Sequence, residues 1–196
     1  MLTASVYNKA RELINEAHAT DPTRLADGRA AELVYADHME KWTIRLMPAA
    51  SDLLRLAARC QHLERWRVPR STFPPGKVGY FSWRKSLYVK QADRARELLL
   101  QAGVSADETN EAWLWISKSG LKTIMGTQAL EDAAIFVFLE KEIEAFAEQH
   151  ADYTREKFVD IIRKTWRKLS PSAKQLATTL DLSPTVEALV KEALAE

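Results

Sequence analysis

Cysteine is nearly missing from this sequence: Cys60 is the only one. That excludes a disulfide within one chain and a multi-cysteine zinc site. Glycine and proline are also scarce, six and seven in 196 residues, which argues against many short strands joined by tight turns. No apolar run approaches the roughly 18 residues that a membrane-spanning helix needs. The amino terminus lacks the charged and apolar regions of a secretory signal, so a cytoplasmic location is expected. Walker-type phosphate loops, GxGxxG, GxSxG and HExxH patterns do not occur, which removes the best-marked nucleotide, hydrolase and zinc-protease classes.

What remains is ordinary globular composition, 46% hydrophobic and 28% charged, arranged with helical spacing. Residues 5–19 place Val6, Ala10, Leu13, Ile14 and Ala17 on one face, and Thr20-Asp21-Pro22 stops that helix. A second helix is predicted from about Gly28 to Met47. A third follows Pro48 and ends near Trp66. Residues 67–81, RVPRSTFPPGKVGYF, hold three prolines and two glycines and read as one long ordered loop. Ser82 is the predicted N-cap of a helix running to Ala102, with Gly103 as its stop.

Ser105-Ala106-Asp107-Glu108 has the capping-box pattern and opens a helix to about Ser119. Gly126-Thr127 precede a helix reaching Gln149. Thr154, Ser170-Pro171 and Ser183-Pro184 start three more. The expected fold class is therefore all-α, with about nine helices by these start and stop signals. Acidic composition turns basic near 149–153, which suggests a core domain over 1–150 and a helical extension over 151–196.

Net charge is +1, but it is unevenly spread. Residues 59–90 carry eight Lys or Arg and one acid, Glu64, whereas residues 128–152 carry seven acids and one Lys. In the basic stretch Arg65, Arg67, Arg70, Lys77, Arg84 and Lys85 alternate with Tyr80 and Trp83. Guanidinium groups suit phosphate and aromatic rings suit bases, so the segment is a candidate phosphate or nucleotide clamp. Ser82 as an N-cap would add an anion site at a helix start. The opposing interpretation is a scaffold whose bases are neutralised by Glu131, Glu140, Glu142, Glu144 and Glu148. The predicted helix from Thr154 to Leu169 also carries a basic face, read as solvated or as a contact for an acidic partner.

Three ionisable residues fall on apolar stripes. Val34, His38, Trp42 and Leu46 follow at intervals of four, as do Leu54, Ala58, His62 and Trp66. Asp132 leads into AAIFVFL, which is apolar all round and marks a central helix. Buried groups of this kind need partners. They could satisfy one another, or hold a Mn, Fe, Ni or Zn ion. Cys60 and His62, two residues apart on a helix, would not face each other, so Cys60 is read as packing.

The runs AARCQHLERWRVPRSTFPPGKVGYFSWRKSL and TQALEDAAIFVFLEKEIEAF resemble a family of bacterial and fungal proteins known as a domain of unknown function, over roughly residues 5–150. More distantly, the order His38, His62, Asp132 is similar to that of HD-domain metal-dependent phosphohydrolases. The stretch ADRARELLLQAGVSADETNEAWLWISKSG resembles their helix–turn–helix before the last aspartate. That resemblance implies an HD-like bundle with His38, His62 and Asp132 holding a divalent metal. Leu63 stands where the HD dyad has aspartate, leaving Glu64 as the candidate ligand or general base. Gln91 and Lys118 stand where some HD relatives have further histidines.

The expected function is thus metal-dependent hydrolysis of a small nucleotide or phosphoester, with Arg70, Lys77, Arg84 and Lys85 binding the phosphate. The alternative is a non-catalytic module that holds a nucleotide, RNA or protein partner through residues 59–90.

Overall fold

In a computed structural model, which describes residues 1–195, the chain is all-α. It forms ten α-helices and has no strand among the described residues, only one isolated bridge between Arg24 and Ala30. It divides into two compact units, Met1–Leu130 and Glu131 onward. No helix among the described residues is long and apolar enough to cross a membrane.

The first unit contains α1 (Ala4–Ala19), α2 (Ala31–Leu46), α3 (Asp52–Arg59), α4 (Gly76–Ala102), α5 (Ala106–Ile116) and the start of α6 (Met125–Val137). The caps follow the sequence signals. Ser51 Oγ accepts from Leu54 N–H at the start of α3, and Ser105 Oγ accepts from Glu108 N–H at the start of α5. Ser105 also donates to the Glu108 carboxylate at 2.7 Å, closing a capping box. Gly103, at φ +97°, ends α4 where a side chain would be strained. α4 packs against α1 and α5, and α3 against α2, α5 and α1. Ile14, Met39, Leu56, Leu63, Leu99 and Ile116 are fully buried or nearly so.

Two boundaries differ from the sequence expectation, and both shape the site. α3 ends at Arg59, well short of Trp66, because His62 (φ +61°) and Glu64 (φ +52°) adopt left-handed backbone. His62 therefore does not continue the Leu54–Ala58 stripe; it lies in a turn beyond the helix. α4 begins at Gly76, so the loop is shorter than 67–81 and Ser82 is inside a helix rather than capping one. The anion site expected at Ser82 is absent for that reason. Gly79 makes the early start possible, since a Cβ there would lie 1.8 Å from the Pro74 carbonyl oxygen. Gly79→Ala should displace the 68–75 loop and cost about 1–3 kcal/mol, read by urea denaturation. Wild-type stability in that variant would mean the close approach is not needed.

The second unit holds the rest of α6, a π-helical segment at Phe138–Glu142, α7 (Ile143–Gln149), α8 (Arg155–Trp166), α9 (Pro171–Leu176) and α10 (Pro184–Leu194). Thr154, Ser170 and Ser183 cap α8, α9 and α10 as their sequences predict. α8 and α10 pack together. Ala133, Phe136, Val137 and Leu139 are buried, as the all-round apolar run requires.

Candidate functional site

A concavity lies in the first unit. It is a cleft of about 270 Å³ lined by Asp21, Glu32, Arg65, Trp66, Arg70 and Trp83, among others. One wall is the loop between α1 and α2. Asp21, only 1% exposed, ties this loop closed: its Oδ1 accepts from Thr23 N–H at 2.9 Å and its Oδ2 from Glu32 N–H at 3.0 Å. Asp21 thereby caps the first turn of α2 from eleven residues away and fixes the backbone of Glu32.

The other wall is the turn after α3. Left-handed backbone at non-glycine residues costs on the order of 1–2 kcal/mol each and concentrates at functional sites. The turn is pinned by Leu63, buried at 2% exposure, and by the Arg65 N–H to His62 carbonyl bond. It presents His62 face to face with Tyr35, ring centroids 4.0 Å apart and planes within 8°. Nδ1 of His62 lies 3.2 Å from Glu32 Oε2. Nη1 of Arg65 lies 3.0 and 3.3 Å from the two ring nitrogens of His62. A donor so nearly equidistant from both nitrogens cannot lie in the ring plane without striking Cε1, so the guanidinium sits over the ring. Tyr35 occupies one face, which places Arg65 on the other. Arg65 Cζ is in turn 5.1 Å from the centroid of Trp83. Tyr35, His62, Arg65 and Trp83 form a layered stack, and Trp83 is fixed by donating to the Val68 carbonyl at 2.8 Å.

Glu32 is the chemically distinctive group. Burial pushes its carboxyl up to about 7, against the pull of Arg65 and His18 and with the help of Asp21. A helix N-terminus ordinarily favours a charged carboxylate; here desolvation wins. Oε2 faces His62, while Oε1 has no hydrogen-bond partner among the described residues. Arg65 makes no ion pair with a carboxylate among them. A carboxyl that titrates near neutrality can take or give a proton at physiological pH, and an unneutralised guanidinium can hold an anion.

Behind the cleft lies a second polar group of residues. Arg59, 1% exposed, donates to Asp37 at 2.8 Å, to Glu40 at 3.0 Å and to Asn15 at 3.1 Å. Glu40 also receives Arg11 at 2.6 Å, Arg55 at 3.3 Å and the Tyr7 hydroxyl at 3.2 Å. Burial alone would raise the Glu40 carboxyl, but hydrogen bonds and charges from Arg11 and Arg59 hold it below its usual range. His18, fully buried, bonds the Arg59 carbonyl through Nε2 at 2.7 Å, and burial lowers its pKa.

The residues singled out from sequence fall on several different elements. His62 lies in the turn after α3, against the cleft residues Glu32 and Arg65 and stacked on Tyr35. His38 is half-buried on α2. Asp132 belongs to the second unit, where its Oδ1 accepts from Ser170 N–H at 2.9 Å, before α9. Among the described residues no three His, Cys, Asp or Glu side chains are grouped to hold a metal ion. Glu64 lies 3.2 Å from Arg67 and 3.5 Å from Arg94 and does not line the cleft.

Arg70 lines the cleft but spends its donors on the carbonyls of Phe73, Pro74 and Gly76, so it braces the loop. Arg84 bonds the Tyr88 hydroxyl at 2.7 Å, and Lys77 and Lys85 are exposed on α4. Cys60 is fully buried and its thiol is pushed up to about 12, which suits packing and not nucleophilic chemistry. Glu32, Asp21 and Tyr35 carry no signal in the sequence; one acid in a helix's first turn is ordinary.

Residues 8–190 match the family described as Domain of unknown function (DUF4202), and the chain belongs to that family. No curated protein and no solved structure matches it.

Proposed function

We propose that this family member binds a small phosphorylated molecule, a nucleotide or phosphoester, in the Glu32–Arg65 cleft and hydrolyses it. One observation carries the proposal. A carboxyl poised near 7, with one oxygen unengaged, shares a small cleft with an arginine that makes no direct ion pair with a carboxylate among the described residues. Arg65 would hold the phosphoryl group and offset its growing charge. Glu32 would take the proton of an attacking water as the new P–O bond forms and the old one breaks towards the leaving oxygen. His62 and Asp21 are positioning residues for Glu32, and Trp66 and Trp83 form the apolar walls.

The metal-dependent, HD-like form of this reaction is supported by the order His38, His62, Asp132 alone.

Calorimetric titration with AMP, ATP, pyrophosphate and inorganic phosphate tests the site. At least one probe should bind, and Arg65→Gln should weaken it tenfold or more, since a charge-assisted contact is worth roughly 1.5–3 kcal/mol. Undiminished binding in that variant would remove the cleft from the function. Metal analysis of protein purified without chelator separates the two chemistries. Stoichiometric metal that vanishes in His62→Ala would favour the metal-dependent enzyme. Protein that neither carries nor takes up metal would end it and leave the cleft proposal standing.

A further inference from the structure

The outward face of α4 is the second unexplained feature, and it is independent of the cleft. Residues 65–92 contain seven Lys or Arg and no Asp or Glu. Lys77, Phe81, Lys85, Val78 and Val89 fall within an arc of about 120° on the helix. All five are exposed, Val78 by 82% and Phe81 by 57%. Trp83 points to the opposite side, where it lines the cleft. Tyr80, 41% exposed, meets Phe81 edge-on at 5.6 Å.

This face is held rigidly. Arg70 ties together three carbonyls of the preceding loop, Trp83 bonds Val68, and Gly79 lies against Pro74. An ordered platform bearing unneutralised lysines between aromatic and aliphatic side chains differs from a solvated helix face, which is ordinarily polar.

We propose that this face binds single-stranded nucleic acid, with Lys77 and Lys85 on backbone phosphates and Phe81, beside Tyr80, as a stacking platform for bases. Charge complementarity selects a polyanion. The interleaving selects a nucleic acid over a protein: lysine is depleted at the centre of protein interfaces, yet Lys85 lies between Phe81 and Val78 on this arc. Nucleic-acid interfaces are cationic and tolerate that mixture, and base stacking on aromatics needs no contiguous apolar patch. The surface is too small to read sequence, so binding should be weak, salt-dependent and tolerant of sequence.

Fluorescence anisotropy of a labelled 20-nucleotide oligouridylate, titrated with the full chain at several salt concentrations, tests this. Binding should weaken steeply as salt rises. Lys77→Gln with Lys85→Gln should cut affinity at least tenfold and lower the log–log salt slope by about 1.4, or 0.7 per phosphate lost. Phe81→Ala should lose roughly fivefold or more with the slope unchanged, because stacking is not ionic. No binding at 50 mM salt would overturn the proposal, as would undiminished binding in the double variant. A Phe81→Ala variant that binds as wild type would reduce the face to general polyanion attraction and also overturn it. Tighter sedimentation with phosphatidylserine vesicles than binding to RNA would assign the face to a membrane surface instead.

Discussion

Arg59→Met should destabilise the first unit by about 3–5 kcal/mol, the range for breaking a buried ion pair by removing one partner. Arg59 is the largest fully buried side chain among the described residues, and its guanidinium joins three elements: Asn15 on α1, Asp37 and Glu40 on α2, and its own α3. Methionine fills similar volume but leaves Glu40 with one donor fewer and the Asn15 carbonyl oxygen without this partner. Glu40 would retain Arg11 and Arg55, so the lower end of that range is expected. For a domain whose total stability is of order 5–15 kcal/mol, this is enough to bring unfolding close to ambient conditions.

Two companion variants localise the effect. Asp37→Asn removes a carboxylate whose side chain is 48% exposed, and should cost under about 1 kcal/mol, as exposed pairs do. Arg59→Lys keeps the charge but cannot span Asn15, Asp37 and Glu40 together, so it should recover only part of the loss. Urea midpoints measure all three. If Arg59→Met loses less than about 1 kcal/mol, well below the buried-pair range, the network does not hold α1, α2 and α3 together.

The helices were legible in the sequence where their ends carry chemistry. Thr154, Ser170, Ser183 and the Ser105–Glu108 box cap helices because their side-chain oxygens meet free N–H groups whatever surrounds them. The failures occur where tertiary contacts override local preference. Nothing in CQHLER marks two left-handed residues, since glycine and asparagine are absent. Burial of Leu63 and stacking of His62 on Tyr35 hold that backbone against its own strain. Proline at 74 and 75 looked like continuing loop, but Gly79 allows α4 to start directly after them.

Arg59 read as one more base in a basic run. Only packing reveals that it points inward to Glu40. Of the candidate site, Arg65, Arg70, Trp83 and His62 stood out as residues, but their grouping did not. Glu32 could not be found from sequence, because its distinction is an environment built by Asp21, thirteen residues before α2 reaches Val34, and by a turn thirty residues after it.

Glu32→Gln should make the protein more stable at pH 8 and far less so at pH 5. Burial raises the Glu32 carboxyl from an ordinary 4.5 to about 7 in the folded chain. The folded state therefore binds this proton more tightly than the unfolded state does. The corresponding stability is complete below 4.5 and is lost as pH rises through 7. Glutamine mimics the protonated form and escapes that loss. The expected gain at pH 8 is about 1–3 kcal/mol, the upper end being the full linkage term. The lower end allows for solvent screening at a carboxyl whose side chain is 18% exposed.

Ligand turnover should move the other way, because glutamine cannot accept the proton. Opposite signs for stability and activity mark a residue kept for function at a cost to the fold. Urea denaturation of wild type and variant across pH 5–8 measures the first half without knowledge of the ligand. A stability difference that does not grow between pH 5 and pH 8 would mean that Glu32 titrates normally. It would then have no proton-transfer role near neutrality, and the cleft would retain only the anion-binding role of Arg65.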